Sequence, residues 1–572
     1  MLRLGTVFSG IGAIEHALER MNIPYKIEFA CDNGDVDILS KHILDNVQSI
    51  ESEFNELLDL LKQDTTNQDW LPNSYYNLKE RFNKTKKKLV ITAEEKESID
   101  KIFKSYEKSG LMNGNQNKTY KKIEEDLQTE KNKNEIAYNY MKLYVKLDAD
   151  IKKMIGKNLK DTEFYVSGGE KSISRYKSVI KEVKSIRDEL SMLHEKINTE
   201  VIRTKVFSLK NEALQKEYVD SLYQGKENQN KVKQTYFANY DIDETRFHWN
   251  VSFFDGTHYE DKIDLLVGGS PCQSFSLVGK QRGLSDTRGT LFYEFARIVS
   301  EVQPKVFIYE NVKAVLSNDN GNTWETMKKV FDELGYSWFQ STLNARDYGI
   351  PQNRERIFVV GFKNKLNITD FKFPEKKVLT KKMQDFLIDN APGKYYLPKK
   401  GVEFVTSDKN LEKRYTQIDG EVQLCQKKNQ QFNWHGDFVF EEDRPGREVL
   451  IQDLEKYFLS EKVKKYVLST GTKGFYSKPE VDLEIARPLL TTMHKMHRAG
   501  VDNYVTTEGR LRKLTPRECL RLMGFCDSFK IVVSDTAIYQ QSGNSIVVDV
   551  LINILQEILN VYPNLLEGVE NE

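Results

Sequence analysis

Ile263-Asp264-Leu265-Leu266-Val267-Gly268-Gly269-Ser270-Pro271-Cys272-Gln273-Ser274-Phe275-Ser276 begins with an apolar run of strand length, ends it in two glycines and opens onto a Pro-Cys pair. A run that does not alternate with polar residues suits a strand buried on both faces. Val306-Phe307-Ile308-Tyr309-Glu310-Asn311-Val312 and Arg356-Ile357-Phe358-Val359-Val360-Gly361-Phe362 are of the same kind, and the first of them also ends in polar residues. Helical patterns fall between these runs, at Leu291–Val302 and Thr323–Leu334. The order β-α-β-α predicts an α/β protein with a mostly parallel sheet covered on both faces. Ligands of such sheets bind beyond the carboxyl ends of the strands, where Cys272 and Glu310 stand.

The amino terminus adds a matching unit. Val7-Phe8-Ser9-Gly10-Ile11-Gly12-Ala13 leads from a strand through Gly-x-Gly into a helix, so the backbone can approach a ligand and free N–H groups face it. About twenty residues on, Asp32 ends a second strand, where a ribose-binding acid belongs in a nucleoside-binding unit; a capping role explains it equally well in isolation.

Composition bounds the rest. The 572 residues include 85 Lys+Arg and 85 Asp+Glu, a net charge of zero, which leaves a nucleic-acid partner open because placement of charge matters more than its sum. No run of about 18 apolar residues occurs, so no membrane span is expected, and the start lacks a signal-peptide pattern. Cys31, Cys272, Cys425, Cys519 and Cys526 show no CxxC spacing, which argues against a disulfide framework or zinc site and for a cytoplasmic, reducing setting.

From Ser40 to Ser109 there is no glycine. Ile43, Val47, Ile50, Phe54, Leu57 and Leu61 lie on one helical face, as do Tyr176, Val179, Val183, Ile186, Leu190, Leu193, Ile197 and Val201. These stripes read as coiled-coil-like arms or as two long helices packed on a domain, and in either case need a partner. Lys84, Lys86, Lys87 and Lys88 form a charge run, more simply a solvated face than a DNA contact.

Cys272 sits among Ser, Gln and Gly rather than apolar neighbours, which suits a nucleophile. Glu310, Arg354 and Arg356 on later strand ends are candidate partners, and no His shares the pattern, which disfavours a Cys/His hydrolase.

In joint order and spacing these motifs resemble the DNA (cytosine-5)-methyltransferase family, especially its small bacterial modification enzymes. The resemblance covers Phe8–Gly12, Gly269–Gln273, Arg288-Gly289-Thr290-Leu291-Phe292, Glu310-Asn311-Val312, Gln352–Arg356, Arg512–Cys519 and Gly543-Asn544-Ser545. It implies a doubly wound, Rossmann-like S-adenosylmethionine-dependent methyltransferase sheet and methylation of C5 of a flipped-out cytosine in duplex DNA. Cys272 would attack C6, Glu310 would hold N3 and the exocyclic amine, Arg356 would hold O2, and Arg354 would support the loop. Phe8, Gly10, Gly12, Asp32, Asn250, Leu291 and Asn544 match positions around the cofactor, and no metal is expected. Gln273 and Ser276, with Thr491, Thr492, Lys495 and Arg498 of the stretch Thr491–Arg498, would contact DNA. His494 and His497 lack a third ligand for a metal.

The implied layout is a core of 1–39 and 237–375, a helical coiled-coil-like insertion at 40–236, a small irregular target-recognition domain at 376–505, and a return to the core at 506–572. Three departures from the family stand out: Ser270 before Pro271-Cys272, Asn250 where an acid commonly meets the adenine amine, and the insertion itself. A cognate restriction endonuclease and self-association through the insertion are further partners the resemblance leaves open. Alternatives are a tRNA cytosine methylase, although the Cys-Phe-Thr tripeptide typical of that branch is missing after Glu310-Asn311-Val312, and an inactive DNA-binding scaffold on the same fold.

Overall fold

The apolar runs pair into one seven-stranded sheet in the computed structural model. It describes the chain except 64–69, 98–131 apart from five positions, 156–168, 272–290, 388–398 apart from Tyr395 and Leu397, 425–431, 442–481 apart from Glu480, 485–495, 498–501, 508–509 and 567–572. The strands are β1 (Leu2–Val7), β2 (Tyr25–Cys31), β3 (Phe247–His248), β4 (Leu265–Gly268), β5 (Val306–Val312), β6 (Tyr336–Asn344) and β7 (Glu355–Lys363), in the order β3-β2-β1-β4-β5-β7-β6. Pairs from β3 to β5 are parallel, whereas β7 runs antiparallel to both its neighbours.

The helices are α1 (Ala13–Arg20), α2 (Val47–Gln63), α3 (Trp70–Lys86), α4 (Lys133–Ile155), α5 (Gly169–Ser208), α6 (Glu212–Leu222), α7 (Lys231–Asn239), α8 (Leu291–Val302), α9 (Asn322–Glu333), α10 (Pro516–Arg521), α11 (Asp535–Asn544) and α12 (Val548–Val561), with short helices at Lys399–Val405 and Asp408–Glu412. Alternate residues of single strands feed two cores. Leu265, Val267, Val306 and Ile308 pack with Ile14 and Leu18 of α1 and Leu551 and Ile554 of α12. Leu266, Phe307 and Tyr309 pack with Phe295 and Val299 of α8 and Phe331 of α9. Both faces being covered explains why these strands read as continuous apolar runs.

The chain leaves β1 toward β2 on one side and pairs β4 and β5 on the other, so strand order reverses between β1 and β4. That reversal opens a crevice at the carboxyl ends. The pairing of Val7 with Gly268 brings the glycine loop after β1 beside Gly269.

The insertion forms a compact unit, Asp37–Leu209, with a hydrophobic core of its own. It ends well before residue 236, where composition drew the limit, because α6 and α7 belong with the sheet: Tyr236 and Tyr240 are buried in the core beside α1. Within the inserted unit Ile50, Phe54 and Leu57 of α2 share a core with Phe82 of α3, Tyr140 and Met141 of α4, and Tyr176, Val183, Ile186, Leu190 and Ile197 of α5. Both sequence stripes therefore find their partners inside the chain. Arg81 of α3 donates to Glu182 and Glu189 of α5, at 2.6 Å each, which fixes the lateral register of these helices. Within the lysine run Lys84 pairs with Glu80 and Lys86 with Glu51.

The stretch Asp535–Val561 is long and apolar enough to pass for a membrane span. It is two helices broken at Ser545–Val547, and Val548, Leu551, Ile554, Leu555 and Ile558 are buried in the protein core.

Residues expected to be irregular contain a second sheet. Strands β8 (Thr416–Gly420), β9 (Phe432–Asn433), β10 (Gly436–Glu441), β11 (Asp482–Glu484), β12 (Met496–His497), β13 (Asp502–Thr507) and β14 (Arg510–Lys513) include five in the order β11-β8-β10-β13-β14. Strands of at most six residues leave little room for an alternating pattern to declare itself.

Leu190 is fully buried in the inserted unit. Leu190→Ala is expected to cost that unit about 2–5 kcal/mol. Differential scanning calorimetry should show its transition moving while that of the sheet-bearing unit stays in place.

Candidate active site

Glu310 stands near the carboxyl end of β5, one strand away from the end of β4 that leads to Cys272. On its other side, β7 presents Arg356 opposite Val312. Arg356 Nε lies 3.1 Å from Glu310 Oε1, and the two side chains are only 13 and 12 % exposed. Burial raises the Glu310 carboxyl above the usual carboxylate range, against the opposing pull of Arg356 and Arg354. The result is a carboxyl able to hold a proton beside a permanent cation, suited to gripping a ring nitrogen and stabilising negative charge on a heteroaromatic base.

Gly269 makes room for this carboxyl. A Cβ there would lie 2.9 Å from Glu310 Oε2 and 3.1 Å from its carbonyl oxygen. A second contact ties the same two strand ends together. The hydroxyls of Ser270 and Tyr309 are 2.7 Å apart, and Asn311 Nδ2 donates to the Ser270 carbonyl (3.0 Å) and to the Tyr309 hydroxyl (2.7 Å). All three side chains are buried. Ser270 thus brings to the end of β4 a buried hydroxyl with a ready-made partner.

At the end of β1 the loop turns through Phe8, Gly10 and Gly12, with φ of 54, 56 and 77°. The left-handed conformation is costly for Phe8 and marks a strained loop. A Cβ on Gly10 would meet nothing nearer than 3.9 Å, so that side of the loop is open to a ligand. Asp32 accepts the N–H groups of Gly10 (2.9 Å) and Gly34 (2.8 Å), and burial pushes its carboxyl up to about 6 despite those donors. An acid held this way beside an open glycine loop fits a hydroxyl-bearing nucleoside.

Asn250 Oδ1 accepts the Ser252 N–H (2.9 Å), and its Nδ2 donates to the Tyr223 hydroxyl (3.2 Å). Tyr223 in turn stacks on Trp249 at 4.5 Å. A small cleft opens beside Asn250, lined by Lys216, Val219, Trp249, Phe253 and Phe254 among others. Leu291 opens α8 half-buried, and Asn544 ends α11 exposed.

The profile of the C-5 cytosine-specific DNA methylases matches residues 211–560, beginning where the inserted unit ends. The chain belongs to this family. It is 36 % identical to the type II methyltransferase M.HhaI of Haemophilus parahaemolyticus over 288 residues, 50 % of this chain and 73 % of that protein. It is 30 % identical to the orphan methyltransferase M.SPRI of Bacillus phage SPR, over 58 % of this chain and 90 % of the other. Among solved structures, a DNMT2 variant from Spodoptera frugiperda aligns over 57 % of this chain and 89 % of its own, at 16 % identity and a TM-score of 0.35.

Within this methylase Arg354 stands apart from the base-facing pair. It is 3 % exposed and donates from one nitrogen to the carbonyls of Gly543 (3.0 Å) and Ser545 (2.9 Å). Gln352 reinforces the seam by donating to the Leu522 carbonyl at 2.7 Å. Arg354 is therefore placed to support the site, pinning the closing segment Gly543–Ser545 against the strand that bears Arg356. Cys272, Gln273 and Ser276 lie outside the described residues, as do Thr491, Thr492, Lys495 and Arg498. Sequence reasoning passed over Tyr309 and Tyr223; each looks like a core aromatic, and only the fold shows what its hydroxyl meets.

Gly269→Ala is expected to lower methyl transfer at least tenfold, because the new methyl must displace Glu310 or the backbone below it. Urea unfolding should register a smaller change, on the order of 1–3 kcal/mol. Unaltered turnover would mean that the Glu310 carboxyl has no fixed place in the reaction.

Proposed function

We propose that this methylase uses S-adenosylmethionine to methylate C5 of a cytosine flipped out of duplex DNA, through a covalent bond between Cys272 and C6. The observation that supports this most directly is the buried Glu310–Arg356 pair packed on Gly269, next to the strand end that leads to Cys272. The glycine loop and Asp32 would hold the cofactor's nucleoside and amino-acid portions, and the bound cofactor supplies an electrophilic methyl group.

The protein's own groups do the remaining work. The Cys272 thiolate forms a bond to C6, and the electron pair of the C5–C6 double bond shifts to C5. Glu310 holds a proton at N3, which offsets the charge that builds on the ring, while Arg356 faces the O2 side. The electron pair at C5 forms the bond to the methyl group as the methyl–sulfonium bond breaks and leaves a neutral thioether; water then takes the C5 proton, the double bond re-forms, and the C6–sulfur bond breaks to release the thiolate. A flipped base is required because C6 is out of reach inside the stack. Relatives from bacteria and a phage support a cytoplasmic setting.

Cys272→Ser is expected to remove methyl transfer, by more than a thousandfold, because a serine hydroxyl is a far weaker nucleophile at neutral pH. Transfer of tritiated methyl to duplex DNA, with tRNA as the second substrate, reads this out. A duplex with 5-fluorocytosine at the target should trap a covalent adduct with wild type and none with the serine variant. Methylation of tRNA alone would overturn the DNA assignment.

We place target reading in 376–505, with the stretch Thr491–Arg498 as the reading loop. Arg498→Ala should then relax discrimination between sites, whereas Lys495→Ala should weaken binding to all sequences alike and lower its salt dependence by about one unit of slope. Fluorescence anisotropy on matched and mismatched duplexes separates the two.

A further inference from the structure

Glu15 lies on α1, one turn past the glycine loop, and its side chain is completely buried. Among the described residues it has no ion pair. The groups that act on it are the Tyr236 hydroxyl on α7, its own backbone N–H and the Thr6 hydroxyl on β1, together with the like-charged Glu19 on α1. Tyr25 on β2 and Tyr240, just after α7, feel its charge in turn. An apolar residue here would pack without the cost of burying an acid.

The partners of Glu15 lead to the loop by two routes. The Tyr236 hydroxyl donates to Glu15 Oε1, and the Tyr236 ring lies 5.0 Å from that of Tyr240. The Tyr240 hydroxyl reaches the carbonyls of Gly12 (2.6 Å) and Ile11 (3.1 Å). Contact there is so close that a Cβ on Gly12 would fall 2.1 Å from the Tyr240 ring. By the second route, the Thr6 hydroxyl is 2.7 Å from that of Ser9, which accepts the Cys31 N–H at 3.0 Å. The same helix α7 also grips the other side of the crevice, since Asn230 at its N-cap donates to the Asp32 carbonyl at 3.0 Å.

We propose that Glu15, acting through Tyr236 and Tyr240, is a positioning residue that sets the conformation of the glycine loop and so the affinity for S-adenosylmethionine. This rests on the cofactor reading above. Burial pushes the Glu15 carboxyl up to about 7, so the folded protein holds it as the neutral acid on the acidic side of that value. The stabilisation contributed by a raised acid is present at low pH and lost as pH rises through the folded value. Ionisation therefore places an uncompensated charge beneath the loop and loosens the Tyr240–Gly12 contact. Asp32, pushed up to about 6, titrates at the acid edge of the same range and is unchanged in the variants below.

The test is calorimetric titration of the full-length protein with S-adenosylhomocysteine between pH 6.5 and 8.5, using wild type, Glu15→Gln and Tyr240→Phe. Wild-type affinity should fall about three- to tenfold across this range. Glu15→Gln, a permanent mimic of the neutral acid, should keep the value at pH 6.5 throughout. Tyr240→Phe should bind more weakly at every pH and raise KM for the cofactor more than it lowers kcat. Thermal melts give a readout independent of ligand: wild type should lose stability relative to Glu15→Gln as pH rises through 7. Any titration of the ligand is common to all three proteins. If Glu15→Gln follows the wild-type affinity curve, or Tyr240→Phe binds as tightly as wild type, the inference fails while the functional reading stands. If wild type binds no S-adenosylhomocysteine, the functional reading fails and takes the cofactor role of the cluster with it.

Discussion

The pairing of β1 with β4 is the constraint on which the site depends. Here two neighbouring parallel strands lead to helices in different cores, α1 after β1 and α8 after β4, which opens a crevice at their carboxyl ends. Because Val7 pairs with Gly268, the glycine loop and the approach to Cys272 leave the sheet side by side. One further strand brings Glu310, and the antiparallel β7 brings Arg356 from the opposite direction. Four motifs spread over some 350 residues of chain thus meet within the width of a few strands.

Polar groups at this crevice are buried at a cost, and each is offset differently. The Glu310 carboxyl is set against a guanidinium; Asp32 is held by two backbone N–H groups; Glu15 has two hydroxyls and its own backbone N–H. The order follows from need. Under the proposed function, a group that meets the reacting base needs a nearby counter-charge, one that meets a ribose needs to remain an acceptor, and one that meets no ligand can be kept neutral. Arg354 illustrates the same economy, since its charge is spent on two carbonyls that hold Gly543–Ser545 in place.

The insertion shows how a fold tolerates a large addition. It enters the chain after β2 and has a hydrophobic core of its own. What it displaces in sequence, α7 restores in space: Asn230 bonds to the Asp32 carbonyl across 198 residues of chain. The contact is short because the two ends of the insertion must return to the same strand end for β3 to pair with β2.

The continuous apolar runs, the glycine-terminated strands and the order of motifs were legible in the sequence because burial on both faces and tight turns restrict residue choice at every position. Those features determined an α/β sheet, the strand ends that carry Glu310 and Arg356, and the family. The two helical stripes were legible as well, but not their partners, since periodicity says that a face must be buried and is silent on what covers it. Tertiary structure alone decided that α2, α3, α4 and α5 bury one another, that α6 and α7 belong to the sheet-bearing unit, and that 376–505 includes a second sheet of short strands. It also decided what Tyr309, Tyr223 and Glu15 touch, because a hydrogen bond between residues far apart in the chain leaves no spacing to read: Ser270 meets Tyr309 across 39 residues and Glu15 meets Tyr236 across 221.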